Sequence, residues 1–294
     1  MVNLVIGQTG FIGGAIYTSL QNTITFKPKS WNHSDFENEI KKISDKNSLK
    51  LYWAAGISNN TSTHDQIKNE TNLIHFFFEL VTKYDLKIEQ INFISSAGSI
   101  YSGYHDSFIT SKSPTNPISI YGKSRLIIED IFKSFTASHD IKLNIFRLTN
   151  VFGSRQKLNK ASGVINNLIN SNINRIPINI FVSLFTKQDY IDIDFVVKNI
   201  SFISSNLSPF NSKGESIFVL SRNQSHSIQE ILSIISRITN RKTPFVMQYD
   251  QNSKIRNLSL NFNIYNENYI KYKILPIEFQ IRKLISETIN VKTA

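Results

Sequence analysis

Short apolar runs alternate along the chain with longer segments in which apolar residues recur every three or four positions. The first run, Val2–Ile6, ends at a glycine and is typical of a buried parallel strand. The next segment places Ile12, Ile16 and Leu20 four residues apart, which predicts a helix. The same reasoning predicts strands at 2–6, 23–26, 49–55, 88–95 and 141–148 and helices at 11–20, 35–43, 65–83 and 121–135. Strands that alternate with helices predict an α/β fold with a doubly wound parallel sheet.

Composition and charge narrow the class of protein. The 294 residues are 40% hydrophobic and 19% charged and include no cysteine, which excludes collagen-like chains, disulfide scaffolds and Cys-ligated metal sites. No apolar run reaches the 18 or so residues of a membrane helix, and the N-terminus has no basic signal-peptide region. We therefore expect a cytoplasmic protein with no membrane partner. The six histidines lack metal-ligand spacing, so no metal site is expected.

The net charge of +11 permits two interpretations. A basic chain can bind nucleic acid, or it can bind a small ligand that carries phosphate. The lysines and arginines are scattered along this sequence and form no long cluster. We therefore expect no nucleic-acid partner, and we note that a pocket for a nucleotide needs only a few of these charges.

A glycine motif separates the first strand from the first helix. Gly7, Gly10 and Gly13 are spaced three apart. Gly7 would permit a tight turn, Gly10 would let a pyrophosphate approach the backbone, and Gly13 would allow close packing of helix against strand. The helix begins at Phe11 and Ile12, where unpaired N–H groups and the helix dipole favour phosphate. The motif predicts a dinucleotide site in a Rossmann-type fold.

The end of the second strand bears on the choice of dinucleotide. Enzymes that bind NAD commonly place a carboxylate there for the ribose 2′-hydroxyl. This chain has Lys27 and Lys29 instead, and its first carboxylate is Asp35. Either lysine could pair with a 2′-phosphate, with Lys27 the first choice, so NADP(H) is favoured over NAD(H).

The pattern after residue 155 is less regular, and the tail from Lys242 onward is too polar to assign. Helices near 163–170, 194–204 and 227–239 and strands near 190–193 and 216–220 are predicted. We expect a dinucleotide-binding domain at 1–155, to which segments at about 188–225 return. Residues 156–294 would mainly form a smaller, interleaved substrate domain.

Three side chains are candidates for the chemistry. Tyr121 and Arg125 lie four residues apart at the start of a predicted helix and therefore share one face. A cation beside a phenol favours its ionised form, so we expect Arg125 to lower the pKa of Tyr121. Ser96 follows a predicted strand and would place a hydroxyl at the carboxyl edge of the sheet, where α/β proteins bind ligands.

Together these segments resemble the extended short-chain dehydrogenase/reductase family, which includes nucleotide-sugar epimerases, dehydratases and 4-reductases. The similarity covers about residues 1–240. It rests on the glycine motif and on the segments 53–56, 95–101, 114–121, 147–153 and 188–194.

The resemblance implies a role for each matching residue. Ala54 and Ala55 would lie beside the cofactor, and Asn150 would contact a nucleotide-sugar substrate. Tyr121 would be the catalytic tyrosine, and Arg125 would stand where the family has a lysine that contacts the cofactor. The substrate oxygen would bind a hydroxyl of the 95–101 loop, with Ser96 the first choice and Ser95 or Ser99 the alternatives. The helices containing Asn69–Val81 and Tyr121–Phe135 would form the interface of a homodimer.

The departures from the family pattern affect the predicted reaction. Arg125 keeps the positive charge of the family's lysine but cannot relay a proton, and Lys123 points to another side of the helix. Gln188 stands where the family has an arginine. An epimerase needs an ionised tyrosine as a base, whereas a ketone reductase needs a protonated tyrosine as an acid.

We therefore expect an NADP(H)-dependent reductase of a nucleotide-activated 4-keto-6-deoxy sugar, working in surface polysaccharide biosynthesis. One example is reduction of dTDP-4-dehydro-6-deoxyglucose to dTDP-fucose. The alternatives are a 4-epimerase with tightly bound NAD and a catalytically silent NADP-binding sensor or scaffold.

Overall fold

The computed structural model describes residues 1–45, 48–56, 58–59, 62–103, 108–154, 156, 163–206, 214–248, 263–264 and 270–293. Its helices are α1 (Phe11–Ser19), α2 (His33–Lys41), α3 (His64–Lys83), α4 (Ala97–Ile100), α5 (Ile120–His139), α6 (Val164–Asn174), α7 (Ile193–Asn206), α8 (Ile228–Thr239) and α9 (Ile277–Thr293). Its strands are β1 (Val2–Ile6), β2 (Thr23–Ile24), β3 (Leu49–Trp53), β4 (Ile88–Ser96), β5 (Phe108–Ile109), β6 (Lys142–Leu148), β7 (Asn150–Phe152), β8 (Ile178–Ile180), β9 (Lys187–Asp192), β10 (Glu215–Leu220), β11 (Ser225–Ser227), β12 (Phe245–Met247) and β13 (Asn263–Ile264).

A parallel sheet of six strands forms the centre of the molecule, in the order β10-β6-β4-β3-β1-β2. The chain leaves β1 in one direction to form β2 and then returns to form β3 on the other side of β1. The carboxyl ends of β1 and β3 therefore flank the crevice in which open α/β sheets bind ligands. This topology confirms the predicted Rossmann-type α/β fold.

Helices cover both faces of the sheet. Since successive side chains of a strand point to opposite faces, neighbouring residues of one strand enter different cores. In β1, Leu4 and Ile6 join the core under α2, α3 and α5, whereas Val5 joins the core under α1 and α7. The first core is rich in aromatic rings; the centroids of Phe93 and Phe132 stack 4.5 Å apart. Helices on both faces explain why the central strands have near-continuous apolar runs.

A separate core lies in the second half of the chain, between α6, α8 and α9. The sequence analysis left the tail unassigned, yet α9 buries Ile277, Ile281, Leu284 and Ile285 in this core. These residues have helical spacing, so the signal for α9 was present in the sequence. β10 nevertheless belongs to the large sheet, so the second half of the chain contributes to the core of that sheet as well as to its own core.

Asp189 joins the small sheet β11-β9-β7 to the end of β10. Its buried carboxylate accepts a hydrogen bond from the Thr149 hydroxyl at 2.7 Å and one from the backbone N–H of Arg222 at 2.9 Å. Burial raises the pKa of Asp189, and these hydrogen bonds oppose the increase. The Arg222 guanidinium continues to the carbonyl of Leu275 at 2.7 Å and to the Gln280 side chain, which links this junction to α9.

The second strand is shorter than predicted. β2 ends at Ile24, two residues before the predicted end, and the Phe26 carbonyl accepts a hydrogen bond from the Gln8 side chain at 2.8 Å.

Within the described residues, no helix has the combination of length and apolar character that would let it cross a membrane.

Replacing Gly13 by alanine is expected to lower the free energy of unfolding by about 1–3 kcal/mol or more, because the methyl group would overlap the Gly7 carbonyl. The neighbouring Gly14→Ala is the matched control. Its methyl would lie 3.0 Å from its nearest neighbour, the Gln8 carbonyl oxygen, and alanine favours the helix by about 1 kcal/mol. Urea unfolding of both variants tests this close packing, and equal stabilities would contradict it.

Candidate active site

The glycine motif forms the junction of β1, β3 and α1. Gly7 has a φ of 99°, and a Cβ there would lie 2.6 Å from the Ala55 nitrogen and 2.7 Å from the Ala54 carbonyl carbon. Gly10 caps α1 without a side-chain hydrogen bond. The first N–H groups of a helix have no intrahelical acceptor, so without a side-chain cap those of α1 are available to a ligand. This cradle suits the pyrophosphate of a dinucleotide.

The residues after β2 lie beside the glycine motif through the contact of Gln8 with Phe26. The side chain of Lys27 is exposed, and its backbone N–H donates to the Glu39 carboxylate at 3.3 Å. Glu39 comes from α2 and also pairs with Lys42. Lys29 is exposed as well. Sequence analysis did not identify Glu39 because a residue of α2 meets the end of β2 only in the folded chain.

Tyr121 lies in the first turn of α5, and two neighbours of that turn fix its position. The hydroxyl of Ser119 caps the helix by accepting the N–H of Gly122 at 3.0 Å. A Cβ at Gly122 would lie 2.8 Å from Pro117 and would overlap the Ser99 carbonyl. The glycine therefore lets α5 begin directly against α4, which follows the end of β4.

The three serines at the end of β4 have different environments. The Ser95 hydroxyl is buried and donates to the Glu129 carboxylate at 2.6 Å. The Ser99 hydroxyl donates to the Ser96 carbonyl at 3.5 Å. Within the described part of the chain, the Ser96 hydroxyl makes no hydrogen bond. Of the three, Ser96 is therefore the one whose hydroxyl is available to a ligand.

Arg125 lies one turn beyond Tyr121 and forms a buried ion pair with Glu70 of α3. Its guanidinium carbon is 5.1 Å from the centroid of the Tyr121 ring, so the two side chains share one space. Lys123, by contrast, is exposed. The expected lowering of the Tyr121 pKa is wrong. Burial raises the pKa of the phenol, Arg125 lowers it and Glu70 raises it, with a net increase.

Glu70 is the site residue that the sequence analysis missed. It occupies the same helical face as the buried Ile74, Phe77 and Val81, whereas the neighbouring Asn69 is exposed. A carboxylate on an apolar helical face was the available signal, because a buried charge requires a partner. The position of that partner depended on how α3 packs against α5.

A second buried ion pair lies one turn further along α5. Glu129 accepts two hydrogen bonds from Arg147 of β6, at 3.0 and 2.6 Å. Arg147 also donates to the Tyr101 hydroxyl at 2.5 Å, and Ser95 donates to Glu129. The network therefore joins α5, β4, β6 and the residue after α4, and it reaches the residue next to Ser96.

Asn150 lies on β7, which pairs in parallel with β9. Its exposed amide nitrogen donates to the Gln188 side chain at 3.0 Å and to the Asp189 carbonyl at 3.1 Å. The structure thus brings together Asn150 and Gln188, the residue that departs from the family pattern. No group of three or more histidines and carboxylates among the described residues could hold a metal ion.

A comparison with family models decides the assignment. The model of the NAD-dependent epimerase/dehydratase family matches residues 3–216. The chain belongs to this family. The predicted resemblance is therefore confirmed, and the chain is an enzyme of the NAD-dependent epimerase and reductase class.

Two relatives are named for different reactions. A protein of Methanocaldococcus jannaschii, provisionally named UDP-glucose 4-epimerase, is 28% identical over 255 residues, which are 79% of this chain and 80% of that protein. The dTDP-4-dehydro-6-deoxyglucose reductase of Escherichia coli is 26% identical over 269 residues, covering 81% and 82%.

Solved structures of the family share the fold. UDP-glucose 4-epimerase from Bifidobacterium longum, in complex with NAD+ and UDP, aligns over 99% of both chains with a TM-score of 0.81 and 14% identity. At that identity the likeness shows the fold alone.

The residues of this chain fit a dinucleotide. The glycine cradle leaves no room for side chains where the pyrophosphate would approach. Beside it, the Arg125 Nε and the Ser58 hydroxyl are buried and have no hydrogen-bond partner among the described residues. Unpaired buried polar atoms are rare in native proteins, so these two atoms are suited to a ligand. The predicted cofactor contacts remain Gly7, Gly10, Phe11, Ile12, Gly13, Lys27, Ala54, Ala55, Tyr121 and Arg125.

Replacing Arg147 by methionine is expected to lower the free energy of unfolding by about 3–5 kcal/mol, because Glu129 would remain buried without its counter-charge. The double variant Glu129→Gln/Arg147→Met should cost less. Arg237→Met is the matched control, since Arg237 pairs with Glu278 at the surface and should contribute about 0–1 kcal/mol. Urea unfolding gives all three values, and similar losses for Arg147→Met and Arg237→Met would contradict the prediction.

Proposed function

We propose that this protein is an NADPH-dependent reductase of a nucleotide-activated 4-keto-6-deoxy sugar in cytoplasmic synthesis of surface polysaccharide. Conversion of dTDP-4-dehydro-6-deoxyglucose to dTDP-fucose is the specific candidate. The observation that carries the proposal is the pairing of Arg125 with Glu70 beside Tyr121.

This pairing favours reduction over epimerisation. An epimerase must first oxidise an alcohol, for which the tyrosine has to be ionised and act as a base. In this site the positive charge of Arg125 is balanced by the carboxylate of Glu70, and burial raises the pKa of the phenol. Both features favour the protonated phenol, which is the form needed to complete the reduction of a ketone.

Each candidate residue has a defined task in the proposed reduction. The bound NADPH would supply the hydride to the ketone carbon. Tyr121 donates its phenolic proton to the oxygen of the same carbonyl, and Ser96 donates a hydrogen bond to that oxygen. Asn150, at the edge of β7, orients the sugar nucleotide through its amide oxygen.

The preference for NADPH rests on the end of β2. The side-chain ammonium of Lys27 forms no ion pair with the described residues. The side chain is exposed and could reach a 2′-phosphate. Lys29 is the alternative at the same edge. The similar Bifidobacterium longum structure contains NAD+, so the preference for NADPH is supported by these two lysines alone.

A nucleotide-sugar 4-epimerase with tightly bound NAD is the second candidate, and the Methanocaldococcus jannaschii relative favours it. Heating the purified protein and identifying the released cofactor distinguishes epimerase from reductase, because the epimerase would release stoichiometric NAD+.

The proposal also includes a homodimer through α3 and α5. Ile120 and Ile127 are exposed on α5 and would lie in such an interface.

The purified protein is expected to oxidise NADPH when dTDP-4-dehydro-6-deoxyglucose is supplied, as measured by absorbance, with UDP-, GDP- and CDP-linked 4-keto sugars tested in parallel. Tyr121→Phe should lower kcat by about 10²–10⁴-fold, because the proton donor is removed. Ser96→Ala should lower it by about 10²-fold or more. Ser99→Ala is the matched control and should keep most activity. Full activity of Tyr121→Phe would refute this mechanism.

Replacing Lys27 by alanine is expected to weaken NADPH binding by about three- to tenfold and to leave NADH binding unchanged, because only NADPH carries the 2′-phosphate. Isothermal titration with both cofactors measures the two affinities. Lys29→Ala is the matched comparison and shows which lysine makes the contact. Equal affinity of the unaltered protein for NADPH and NADH would contradict the preference.

A further inference from the structure

One carboxylate connects three elements next to the candidate catalytic side chains. Glu70, from α3, pairs through Oε1 with the guanidinium of Arg125 on α5. Its Oε2 accepts the backbone N–H of Ser58, which follows β3, at 2.9 Å. Glu70 and Arg125 are each 5% exposed in the folded chain. The position of Arg125 therefore depends on a partner outside its own helix.

The space around this ion pair is limited by Gly56, which also follows β3. A Cβ at Gly56 would lie 3.2 Å from Glu70 Oε1 and 3.7 Å from Arg125 Nη1. Arginine is longer than lysine and its guanidinium is planar, so it requires an acceptor in a fixed direction. Glu70 supplies that acceptor at the carboxyl end of β3.

The pair also determines the charge beside Tyr121. In the described part of the chain, the charged groups that act on the phenol are Arg125, from its own helix, and Glu70, from α3. A guanidinium 5.1 Å from the ring centroid would by itself favour the phenolate. The carboxylate of Glu70 removes the net charge.

We propose that Glu70 is a positioning residue of this active site: it holds the Arg125 guanidinium beside Gly56 and cancels its positive charge next to the Tyr121 phenol. The inference rests on the proposed function, in which Tyr121 acts as the acid. It explains how an arginine serves at the position where the sequence resemblance leads one to expect a lysine. Arginine at 125 functions together with glutamate at 70, and neither residue would suffice alone.

Ionisation of Tyr121 can be measured directly from the ultraviolet absorbance of its phenolate. The contribution of this one tyrosine is the difference between each variant and the same variant carrying Tyr121→Phe. In Glu70→Gln, which keeps the side-chain volume and removes the charge, Tyr121 should ionise at a pH lower by about one unit or more. In the matched control Glu70→Gln/Arg125→Met, which has no cation, this shift should be absent.

Two results would overturn the proposal: no shift in folded Glu70→Gln, or the same shift in the double variant. Circular dichroism establishes that each variant is folded. If Glu70→Gln does not fold, Glu70→Asp takes its place, because aspartate keeps the charge on a shorter side chain. In Glu70→Asp the pH at which Tyr121 ionises should fall by a smaller amount, and an unchanged ionisation pH would likewise overturn the proposal.

The readout separates this inference from the proposed function because it needs no substrate. A shift in a protein that reduces none of the 4-keto sugars supports the role of Glu70 and rejects the reductase. Reduction without a shift in Glu70→Gln supports the reductase and rejects the role of Glu70.

Discussion

The helix α5 carries two buried charges, and the arrangement of the site depends on their being paired. Arg125 and Glu129 lie one turn apart, and each meets its counter-charge on another element, Glu70 of α3 and Arg147 of β6. A charge that is buried without a partner costs several kcal/mol, so α5 is strongly constrained to the position in which both pairs form. Tyr121, in the first turn of the same helix, is placed by this constraint.

The end of β4 is positioned by the same network. Ser95 donates to Glu129, and Ser96 is the next residue and the last of β4. This buried network therefore adjoins the Ser96 hydroxyl, which makes no hydrogen bond within the described residues, and the helix that carries the Tyr121 phenol. Preorganised donors of this kind need no rearrangement when charge develops on a substrate oxygen.

The glycine motif imposes a different kind of constraint, which is steric. Gly7 lies against the backbone of Ala54 and Ala55, and Gly13 lies against Gly7. Because these approaches exclude any Cβ, β1, β3 and α1 meet more closely than side chains would allow. The first N–H groups of α1 have no intrahelical acceptor, and the buried Arg125 Nε has no hydrogen-bond partner among the described residues. Both features are suited to a dinucleotide.

Local patterns in the sequence were sufficient to predict the six strands of the large sheet in chain order and the glycine motif. Alternating strands and helices require a parallel sheet, and the buried strands have apolar runs that need no tertiary context to interpret. Helical periodicity likewise placed Tyr121 and Arg125 on one face. The helix α9 was missed although Ile277, Ile281 and Leu284 have the right spacing, since the polar residues between them concealed the pattern.

Only the tertiary structure decided which charges meet. Glu70 and Arg125 are 55 residues apart in the chain, and their contact follows from the packing of α3 against α5. Burial reversed the expected pKa change of Tyr121, because it raises the pKa more than the cation one turn away lowers it, and Glu70 adds to the increase. A local sequence pattern fixes which side chains share a helical face. The electrostatic environment of those side chains is a sum over all neighbours in space, and the fold alone brings those neighbours together.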